Sequence, residues 1–312
     1  MSQPLRFGLL GAAGYVAPRH MQAISTLGHH LVAACDTHDG VGVLDRHFPH
    51  CQFFTEVERF DRHLEKLRRR GQPVDYISIC TPNYLHDAHC RLALRVKSHA
   101  ICEKPLVISP WNIDQLLELE QEHGRSIWTI LQLRLHPEVQ RLKAALQQAT
   151  ASVPRTRTQV RLTYATHRGP WYQRSWKGDT RRSGSLAMNI GVHFFDMLCW
   201  LFGSLDQYEV IAREDDLMQG RLILQHADVE WLLSTSMEHV PEPLRNSGQR
   251  VYRALQMGED SFDFSSGFDD LHTKSYANIL NGDGFTVEDA RQSIELVHKI
   301  RTCPIGAMVS AA

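Results

Sequence analysis

Residues 9–16 read LLGAAGYV, and this stretch decides the fold of the chain. It joins an apolar run, Phe7–Leu10, to a segment with helical spacing that carries His20 and Ile24. Glycines at such a junction let the backbone approach a phosphate group, which then lies at the positive N-terminus of the helix. The stretch therefore predicts the first strand and helix of a doubly wound parallel sheet.

Short apolar runs and longer helical segments alternate from this turn to about residue 130. Runs that are apolar throughout are typical of strands covered on both faces, and their alternation with helices indicates a parallel sheet. The predicted strands are Phe7–Leu10, Leu31–Cys35, Tyr76–Cys80, Ala100–Cys102 and Ile127–Leu131. The predicted helices include Glu56–Arg70, His86–Val96 and Trp111–His123, the last with Ser109 as N-cap and Pro110 at its first position. We predict an α/β Rossmann domain over residues 1–130.

The pattern changes after residue 130, where a helix over His136–Gln148 is followed mainly by strands. The predicted strands are Thr158–Ala165, Gln207–Ala212, Arg221–His226, Glu230–Met237 and Gln249–Gln256, with turns at Gln219–Gly220 and His226–Asp228. The predicted helices are Leu186–Phe202, Phe268–Leu280 and Val287–Arg301, the last capped by Thr286 with Asp289. Consecutive strands with short turns indicate an antiparallel sheet. We predict an α+β domain over residues 131–312 for substrate binding and oligomerisation, with a mainly antiparallel, open-faced sheet.

The composition excludes several classes of function. The 312 residues are 43% hydrophobic, which is enough for two cores, and the formal net charge of -1 disfavours a nucleic-acid partner. No apolar run approaches the roughly 18 residues that span a membrane, and the start lacks a signal-peptide core, which predicts a cytoplasmic protein. The cysteines form no C-x-x-C pair and the histidines no zinc motif, so we predict no metal.

The glycine turn also predicts a dinucleotide site. Its match to G-x-G-x-x-G is imperfect, because Ala13 and Val16 occupy the later glycine positions and Gly14 lies between them. Asp36 ends the second strand, where a carboxylate accepts hydrogen bonds from both ribose hydroxyls. Together with nearby Asp39, it would repel a 2′-phosphate, so NAD is favoured over NADP. A tight turn and a turn aspartate without any ligand are the alternatives.

Further cofactor contacts are predicted at the carboxyl ends of the strands, where parallel sheets bind their ligands. Two such strands are followed by polar residues, at Thr81–Asn83 and at Glu103–Lys104. The predicted cofactor site comprises Gly11, Ala13, Gly14, Tyr15, Val16, Asp36, Thr81, Asn83, His86, Glu103 and Lys104. Helix capping alone is the alternative explanation for Asn83.

Lys104 is the main candidate for chemistry. It lies in the sequence CEKP, residues 102–105, directly after a predicted strand. Pro105 favours an extended conformation for Lys104, and burial or neighbouring positive charge lowers the pKa of a lysine from about 10.4 toward neutrality. An exposed loop lysine is the alternative.

A second chemical candidate lies on the helix predicted over Leu186–Phe202. At helical spacing Asn189 and His193 share a face, with Asp196 three residues beyond. A polar stripe on an otherwise apolar helix needs partners, and the pKa of an imidazole suits proton transfer near neutrality. A core histidine with satisfied hydrogen bonds is the alternative.

The loop between Thr166 and Ser185 mixes basic and aromatic residues, which suits an anionic ligand that carries a ring. Single-stranded nucleic acid can use the same mixture, but the neutral overall charge argues against it. The predicted substrate contacts are Arg134, Arg168, Tyr172, Trp176, Lys177, Asn189 and His193. A solvated turn is the alternative.

These features together resemble the glucose–fructose oxidoreductase/inositol dehydrogenase/MocA family over essentially the whole chain. The resemblance rests on the glycine turn, Asp36, the sequences TPN at 81–83 and EKP at 103–105, and the stretch 189–196. The sequences WYQRSWKGD at 171–179 and NIGVHFFDML at 189–198 are similar to those of UDP-N-acetylglucosaminuronate 3-dehydrogenases of the WlbA type. Such enzymes act in the synthesis of bacterial surface polysaccharide, including lipopolysaccharide O-antigen.

The resemblance implies oxidation of a sugar 3-hydroxyl by NAD, with Lys104 and His193 as the catalytic pair. The expected assignment makes His193 the base and Lys104 the donor, and the reverse assignment stays open. Relatives often have aspartate where this chain has Asn189, which is expected to be a neutral orienter. A polyol or inositol dehydrogenase and a non-catalytic NAD-sensing regulator are the alternatives. The resemblance also suggests recycling of NADH by 2-oxoglutarate, and the open sheet face suggests a homodimer or homotetramer.

Overall fold

The structure is a computed structural model that describes residues 3–150, 157–263, 267–268 and 270–311. It consists of two compact units, Met1–Gln132 with Asp269–Arg291 and Leu133–Phe268 with Gln292–Ala312. The predicted boundary near residue 130 lies close to the first division between them. The return of Asp269–Arg291 to the first unit was not predicted.

The described residues form the following strands and α-helices, each numbered in chain order. The strands are β1 (Arg6–Leu10), β2 (His30–Cys35), β3 (Gln52–Phe54), β4 (Tyr76–Ile79), β5 (His99–Cys102), β6 (Ile127–Thr129), β7 (Thr158–Thr166), β8 (Leu205–Arg213), β9 (Leu217–Leu224), β10 (Ala227–Ser234), β11 (Val251–Met257), β12 (Asp260–Asp263) and β13 (Met308–Ser310). The α-helices are α1 (Ala17–Thr26), α2 (Val43–His47), α3 (Val57–Arg69), α4 (His86–Arg95), α5 (Trp111–His123), α6 (Pro137–Thr150), α7 (Pro170–Arg174), α8 (Thr180–Ser183), α9 (Val192–Phe202), α10 (Glu242–Asn246), α11 (Leu271–Leu280) and α12 (Val287–Thr302).

The first unit contains a six-stranded parallel sheet in the order β3-β2-β1-β4-β5-β6. This order confirms the predicted Rossmann domain and places the strand ends that follow β1, β4 and β5 next to one another. Phe7 and Leu9 of β1 are fully buried, and Tyr276 and Ile279 of α11 belong to the same apolar core. A helix that is distant in sequence therefore completes this unit.

Two helix starts test the capping predictions. The cap of α12 is confirmed, because the Thr286 amide donates to an Asp289 carboxylate oxygen and the Asp289 amide donates to Thr286 Oγ1. The cap of α5 was predicted wrongly, since Pro110 is the N-cap and the helix begins at Trp111. The backbone carbonyl of Ser109, rather than its side chain, accepts the Asn112 amide at this end.

The second unit contains a seven-stranded sheet in the order β12-β11-β7-β10-β9-β8-β13. Its strand pairs are antiparallel except β7 with β10, which is parallel. This confirms the predicted α+β class with a mainly antiparallel sheet. Buried residues alternate with more exposed ones along the central strands, so one face packs on the core while the other carries exposed side chains such as Arg161, Arg221 and Glu230.

The turn predicted at Gln219–Gly220 is wrong, because both residues lie within β9. A Cβ atom at Gly220 would stand 2.1 Å from the carbonyl oxygen of Glu209 on the neighbouring strand β8 and 2.8 Å from the Trp231 ring. This glycine permits close approach inside the sheet rather than a reversal of the chain. The reversal lies at Gln225–His226, between β9 and β10.

The segment predicted as one helix, Leu186–Phe202, is not α-helical throughout. Ala187–Gly191 is a π-helical turn, and α9 follows it directly. With α8 these segments form one helical stretch, Thr180–Phe202, which is long and apolar enough to cross a membrane by length and composition. The sequence predicted no such stretch. Most of it is buried within the protein, as is usual for a core helix of a globular domain.

Candidate functional site

The glycine turn after β1 packs against the end of β4. Gly11 has a φ of +88°, and a Cβ atom there would lie 2.6 Å from the carbonyl carbon of Cys80. Gly14 is nearly as crowded, with a Cβ position 3.1 Å from the Gly11 oxygen and 3.3 Å from the Cys80 oxygen. The turn therefore requires glycine at Gly11 for its conformation and favours it at Gly14 for space.

Asp36 is fixed at this turn. One of its carboxylate oxygens accepts the Ala13 amide at 2.9 Å, and the other accepts the His38 amide at 2.9 Å. The structure thus brings together four predicted cofactor residues, Gly11, Ala13, Gly14 and Asp36. Tyr15 is 90% exposed beside them, whereas the side chain of Val16 packs against the apolar core.

The His86 ring contacts both the loop after β4 and the loop after β5. Its Nε2 lies 2.8 Å from the Thr81 carbonyl oxygen, and its Nδ1 lies 2.6 Å from the Pro105 carbonyl oxygen. The ring is buried, so His86 can act on a cofactor only through the loops it connects. Thr81 Oγ1 lies 2.9 Å from Nδ1 of His89, within hydrogen-bond distance. Asn83, two residues after Thr81, is buried.

Glu103 is buried at the end of β5 and forms the centre of a polar network. Its Oε1 lies 3.0 Å from Nε2 of His20 and 2.8 Å from Nε2 of His272, and its Oε2 accepts the Lys104 amide at 3.2 Å. The Lys104–Pro105 peptide bond is cis. Glu103 was predicted to contact the cofactor, but the structure directs its carboxylate into the protein toward two histidines.

The network extends inward through Tyr276. Its hydroxyl lies 2.8 Å from Nδ1 of His20 and 2.5 Å from Oγ of Ser78 on β4. Sequence reasoning missed His20, His272 and Tyr276, because their proximity depends on the docking of α11 against α1. The one available signal was local, since His20 follows the glycine turn and Glu103 is itself a predicted cofactor residue.

The electrostatics of this network favour an ionised glutamate and a neutral histidine. Burial alone would raise the pKa of Glu103, but hydrogen bonds from His20 and His272 hold that pKa well below its usual value. Burial lowers the pKa of His20, although its hydrogen bond to Glu103 acts in the opposite direction. A neutral His20 that donates its Nε2–H to an ionised Glu103 is consistent with the lowered pKa of both groups.

His20, Glu103 and His272 are also the group of described residues that could hold a metal ion, since their ligand atoms lie within 4.8 Å of one another. Their mutual hydrogen bonds of 2.8 to 3.0 Å already use these atoms. Hydrogen bonding therefore accounts for the cluster without an ion.

We predict that the free energy of unfolding decreases as the pH falls from about 6.5 toward 4. Burial, assisted by the charge of His86, lowers the pKa of His89 from 6.5 to about 4. The unfolded chain takes up this proton first, so stability falls by up to roughly 1.4 kcal/mol per pH unit for such a group. Urea unfolding at pH 7.5 and pH 5 should show a smaller pH dependence for His89→Gln than for the parent protein. His50→Gln, at an exposed site, is the control, and an unchanged dependence in His89→Gln would contradict the prediction.

In the second unit, Asn189 lies in the π-helical turn before α9. Its amide Nδ2 donates to the Tyr172 hydroxyl at 2.7 Å, which joins the basic and aromatic loop to the helix. Burial raises the pKa of Tyr172, so the phenol stays neutral near pH 7. His193 follows on the first turn of α9. π-Turns inside helices are frequent at functional sites because they alter which side chains share a face.

Arg134 and Asp196 form a buried bidentate ion pair. Arg134 Nε and Nη2 donate to the two carboxylate oxygens of Asp196 at 3.0 and 2.7 Å. The side chains are 9% and 3% exposed. Arg134 was predicted to bind substrate, but the structure uses its guanidinium to hold Asp196, one turn beyond His193 on α9.

The predicted substrate loop is compact. The ammonium of Lys177 lies 4.7 Å from the centre of the Trp171 ring and 5.4 Å from that of Trp176, as in cation–π contacts. Burial, followed by the charge of Arg168, lowers the pKa of Lys177. Gly178 permits the tight turn, because a Cβ there would stand 2.2 Å from the Gln173 carbonyl oxygen.

The predicted site residues thus fall into two groups within the two units. The first unit gathers the glycine turn, Asp36, Thr81, Glu103 and Lys104 at the carboxyl edge of its parallel sheet. The second unit joins Tyr172 to Asn189 and places His193 directly after them. The convergence of Lys104 and His193 on one substrate atom stays a prediction.

Comparison with known proteins gives consistent matches in both units. Residues 5–130 match a family model described as an oxidoreductase family with an NAD-binding Rossmann fold. Residues 156–223 match the C-terminal alpha/beta domain of the same oxidoreductase family. The chain is also 25% identical, over 81% of its length and 70% of the relative's, to the uncharacterized oxidoreductase YrbE of Bacillus subtilis.

Among solved structures, the chain is similar to the WlbA (WbpB) dehydrogenase of Thermus thermophilus. The two are 47% identical, with a TM-score of 0.93 and coverage of 97% of this chain and 96% of that one. Crystal structures of the Thermus enzyme contain NAD with alpha-ketoglutarate and NAD with UDP-GlcNAcA. WlbA of Bordetella pertussis, at 21% identity, shares the fold with a TM-score of 0.80 over 100% of this chain and 99% of that one.

Proposed function

The chain belongs to the glucose–fructose oxidoreductase/inositol dehydrogenase/MocA family, and on this premise we propose that it oxidises the 3-hydroxyl of UDP-N-acetylglucosaminuronic acid with NAD. The observation that carries the proposal is the 47% identity, over 97% of the chain, to an enzyme whose crystal structure holds NAD and UDP-GlcNAcA. The product is the 3-keto sugar. Its proposed use is bacterial surface polysaccharide synthesis, as in lipopolysaccharide O-antigen.

The residues of the first unit fit NAD. The crowded Gly11 turn lies before α1 and would receive the pyrophosphate near the helix N-terminus. The Asp36 carboxylate, now bonded to two backbone amides, would accept the ribose hydroxyls. The negative charge of Asp36 at that position disfavours a 2′-phosphate. Bound NAD supplies the hydride acceptor.

The proposed proton chemistry uses two side chains. His193 takes the proton of the 3-hydroxyl, and the Lys104 ammonium donates a hydrogen bond to the developing alkoxide. The reverse assignment of the two residues is the alternative. The neutral amide of Asn189, held by the Tyr172 hydroxyl, orients the sugar or His193 without adding a charge. An aspartate at this position would add a charge to the pair.

The proposed substrate carries about three negative charges when its carboxylate and diphosphate are ionised. Lys177 and Arg168 in the basic and aromatic loop would offset part of this charge, and Tyr172 and Trp176 would contact the rings. An inositol lacks both the anionic groups and the nucleotide. The inositol alternative therefore leaves this loop without a role.

Formation of NADH by the purified protein tests the function. We expect turnover with UDP-N-acetylglucosaminuronate, much weaker turnover with UDP-N-acetylglucosamine, which lacks the carboxylate, and none with free inositols. Oxidation of an inositol alone would favour the inositol alternative. NAD-dependent capture of a protein partner, with no turnover of any sugar, would favour a regulator.

Three further parts of the proposal concern the setting of the reaction. Addition of 2-oxoglutarate should reoxidise the NADH, in line with the alpha-ketoglutarate in the Thermus WlbA structure. The exposed sheet face of the second unit is proposed to pack against a copy of the chain, which gives a dimer or tetramer. NAD and nucleotide sugars are cytoplasmic metabolites, so we place the enzyme in the cytoplasm, acting on a small molecule rather than on nucleic acid or membrane.

A further inference from the structure

We infer that Glu103 is a positioning residue for Lys104, because its buried carboxylate is clamped by His20 and His272 and holds the lysine backbone in place. The inference rests on the proposed catalytic role of Lys104 and adds to it the residues that hold Glu103, which are His20 and His272. The contacts of Glu103 with His20, His272 and Lys104 all lie within the first unit.

The two oxygens of the carboxylate have different tasks. Oε1 faces inward and receives both imidazoles, at 3.0 Å from His20 and 2.8 Å from His272. Oε2 accepts the backbone amide of Lys104 at 3.2 Å. The Glu103 amide in turn donates to the Ile79 carbonyl at the end of β4. The first residue after β5 is thus held on both its backbone and its side chain, and the second is Lys104.

The hydrogen-bond network has one consistent direction. With Glu103 ionised, neutral His20 must donate Nε2–H to it, which leaves Nδ1 to accept the Tyr276 hydroxyl proton. The Tyr276 oxygen then accepts from Ser78. Every polar atom in this chain of bonds is used, so a change at one member affects the others.

The network includes a buried charge, the Glu103 carboxylate, which a packed core does not require. Burial of a charge is expensive, and well-packed apolar residues of similar volume often give equal or greater stability. We attribute this buried carboxylate to its role in positioning Lys104. His20 lies on α1, directly after the proposed phosphate-binding turn, while His272 and Tyr276 lie on α11. Through Glu103 these residues fix the lysine loop relative to the cofactor turn.

Glu103→Gln tests the inference, with Glu58→Gln on the exposed side of α3 as control. The amide keeps the size of the side chain but turns one acceptor into a donor that opposes imidazole N–H groups. We expect kcat to fall by about 10- to 100-fold, as for a small misplacement of a catalytic group, with KM for NAD within about twofold. Thermal unfolding of the variant with bound NADH separates this effect from loss of the fold.

Two further measurements distinguish positioning from a merely structural role. His272→Gln keeps an N–H donor near the Nε2 position and should retain most of the activity, whereas His272→Leu should lose about as much as Glu103→Gln. In a Lys104→Met background, Glu103→Gln should reduce residual turnover by less than about threefold, because its effect acts through Lys104.

The outcomes separate this inference from the proposed function. If Lys104→Met greatly reduces kcat while Glu103→Gln keeps the parent kcat, the positioning role is wrong and the function stands. If the effects of the two substitutions multiply, Glu103 acts independently of Lys104 and the inference is also wrong. If Lys104→Met itself keeps normal turnover, the proposed catalytic role of Lys104 is wrong, and the positioning role of Glu103 is wrong with it.

Discussion

Replacement of Lys104 by methionine is expected to reduce kcat by at least about 1000-fold while NAD still binds. Methionine has nearly the length of lysine but lacks the ammonium group, so the variant removes the proposed donor to the alkoxide. A positioned acid or base contributes typically 10²- to 10⁴-fold, and loss of electrostatic stabilisation in the same group adds to this. The backbone bond from Lys104 to Glu103 does not depend on the side chain.

Single-turnover formation of NADH with the UDP-sugar acid measures the chemical step, and fluorescence titration with NADH measures cofactor binding. Lys66→Met, an exposed lysine on α3, is the matched control and should behave as the parent protein. Near-normal turnover of Lys104→Met would refute the mechanism. A loss of cofactor binding as large as the loss of kcat would instead make Lys104 a cofactor ligand.

The fold could be predicted from the sequence because its signals are local and strong. The apolar runs at β1, β2, β4, β5 and β6 fix the parallel sheet, and each run agrees with its observed strand to within about two residues. The three-residue strand β3 was missed, because its sequence QFF is too short to show a period. Gly220 was misread as a turn, since a glycine in a strand and a glycine in a turn look alike until the neighbouring strand is known.

The candidate site was less predictable, because its partners are distant in sequence. The glycine turn and Asp36 lie 23 residues apart at their bonded atoms and were identified from spacing. Glu103 was noticed for its motif, but its partner His272 is 169 residues away on a helix that returns from the later part of the chain. Local periodicity carries no information on such a return. The same holds for Arg134, whose charge predicts an anionic substrate, whereas its partner Asp196 lies 62 residues away in the sequence.

Arg134→Met is expected to destabilise the second unit by about 3–5 kcal/mol, because it leaves the carboxylate of Asp196 buried without its guanidinium. Arg161→Met is the matched control. It breaks an ion pair with Glu230 whose side chains are 64% and 53% exposed, and exposed pairs contribute less than about 1 kcal/mol. Chemical unfolding followed by tryptophan fluorescence should separate these two variants clearly.

The same variant decides between two roles for Arg134. A substrate contact predicts a raised KM for the UDP-sugar acid with little change in stability, whereas an internal ion pair predicts lost stability. The double variant Arg134→Met/Asp196→Leu sharpens the choice, because removal of both charges should recover part of the stability lost in the single variant. Recovery of stability with a kcat that remains low would mean that the pair also orients His193, one turn earlier on α9. Unchanged stability in the single variant would contradict the structural role and favour a substrate contact for Arg134.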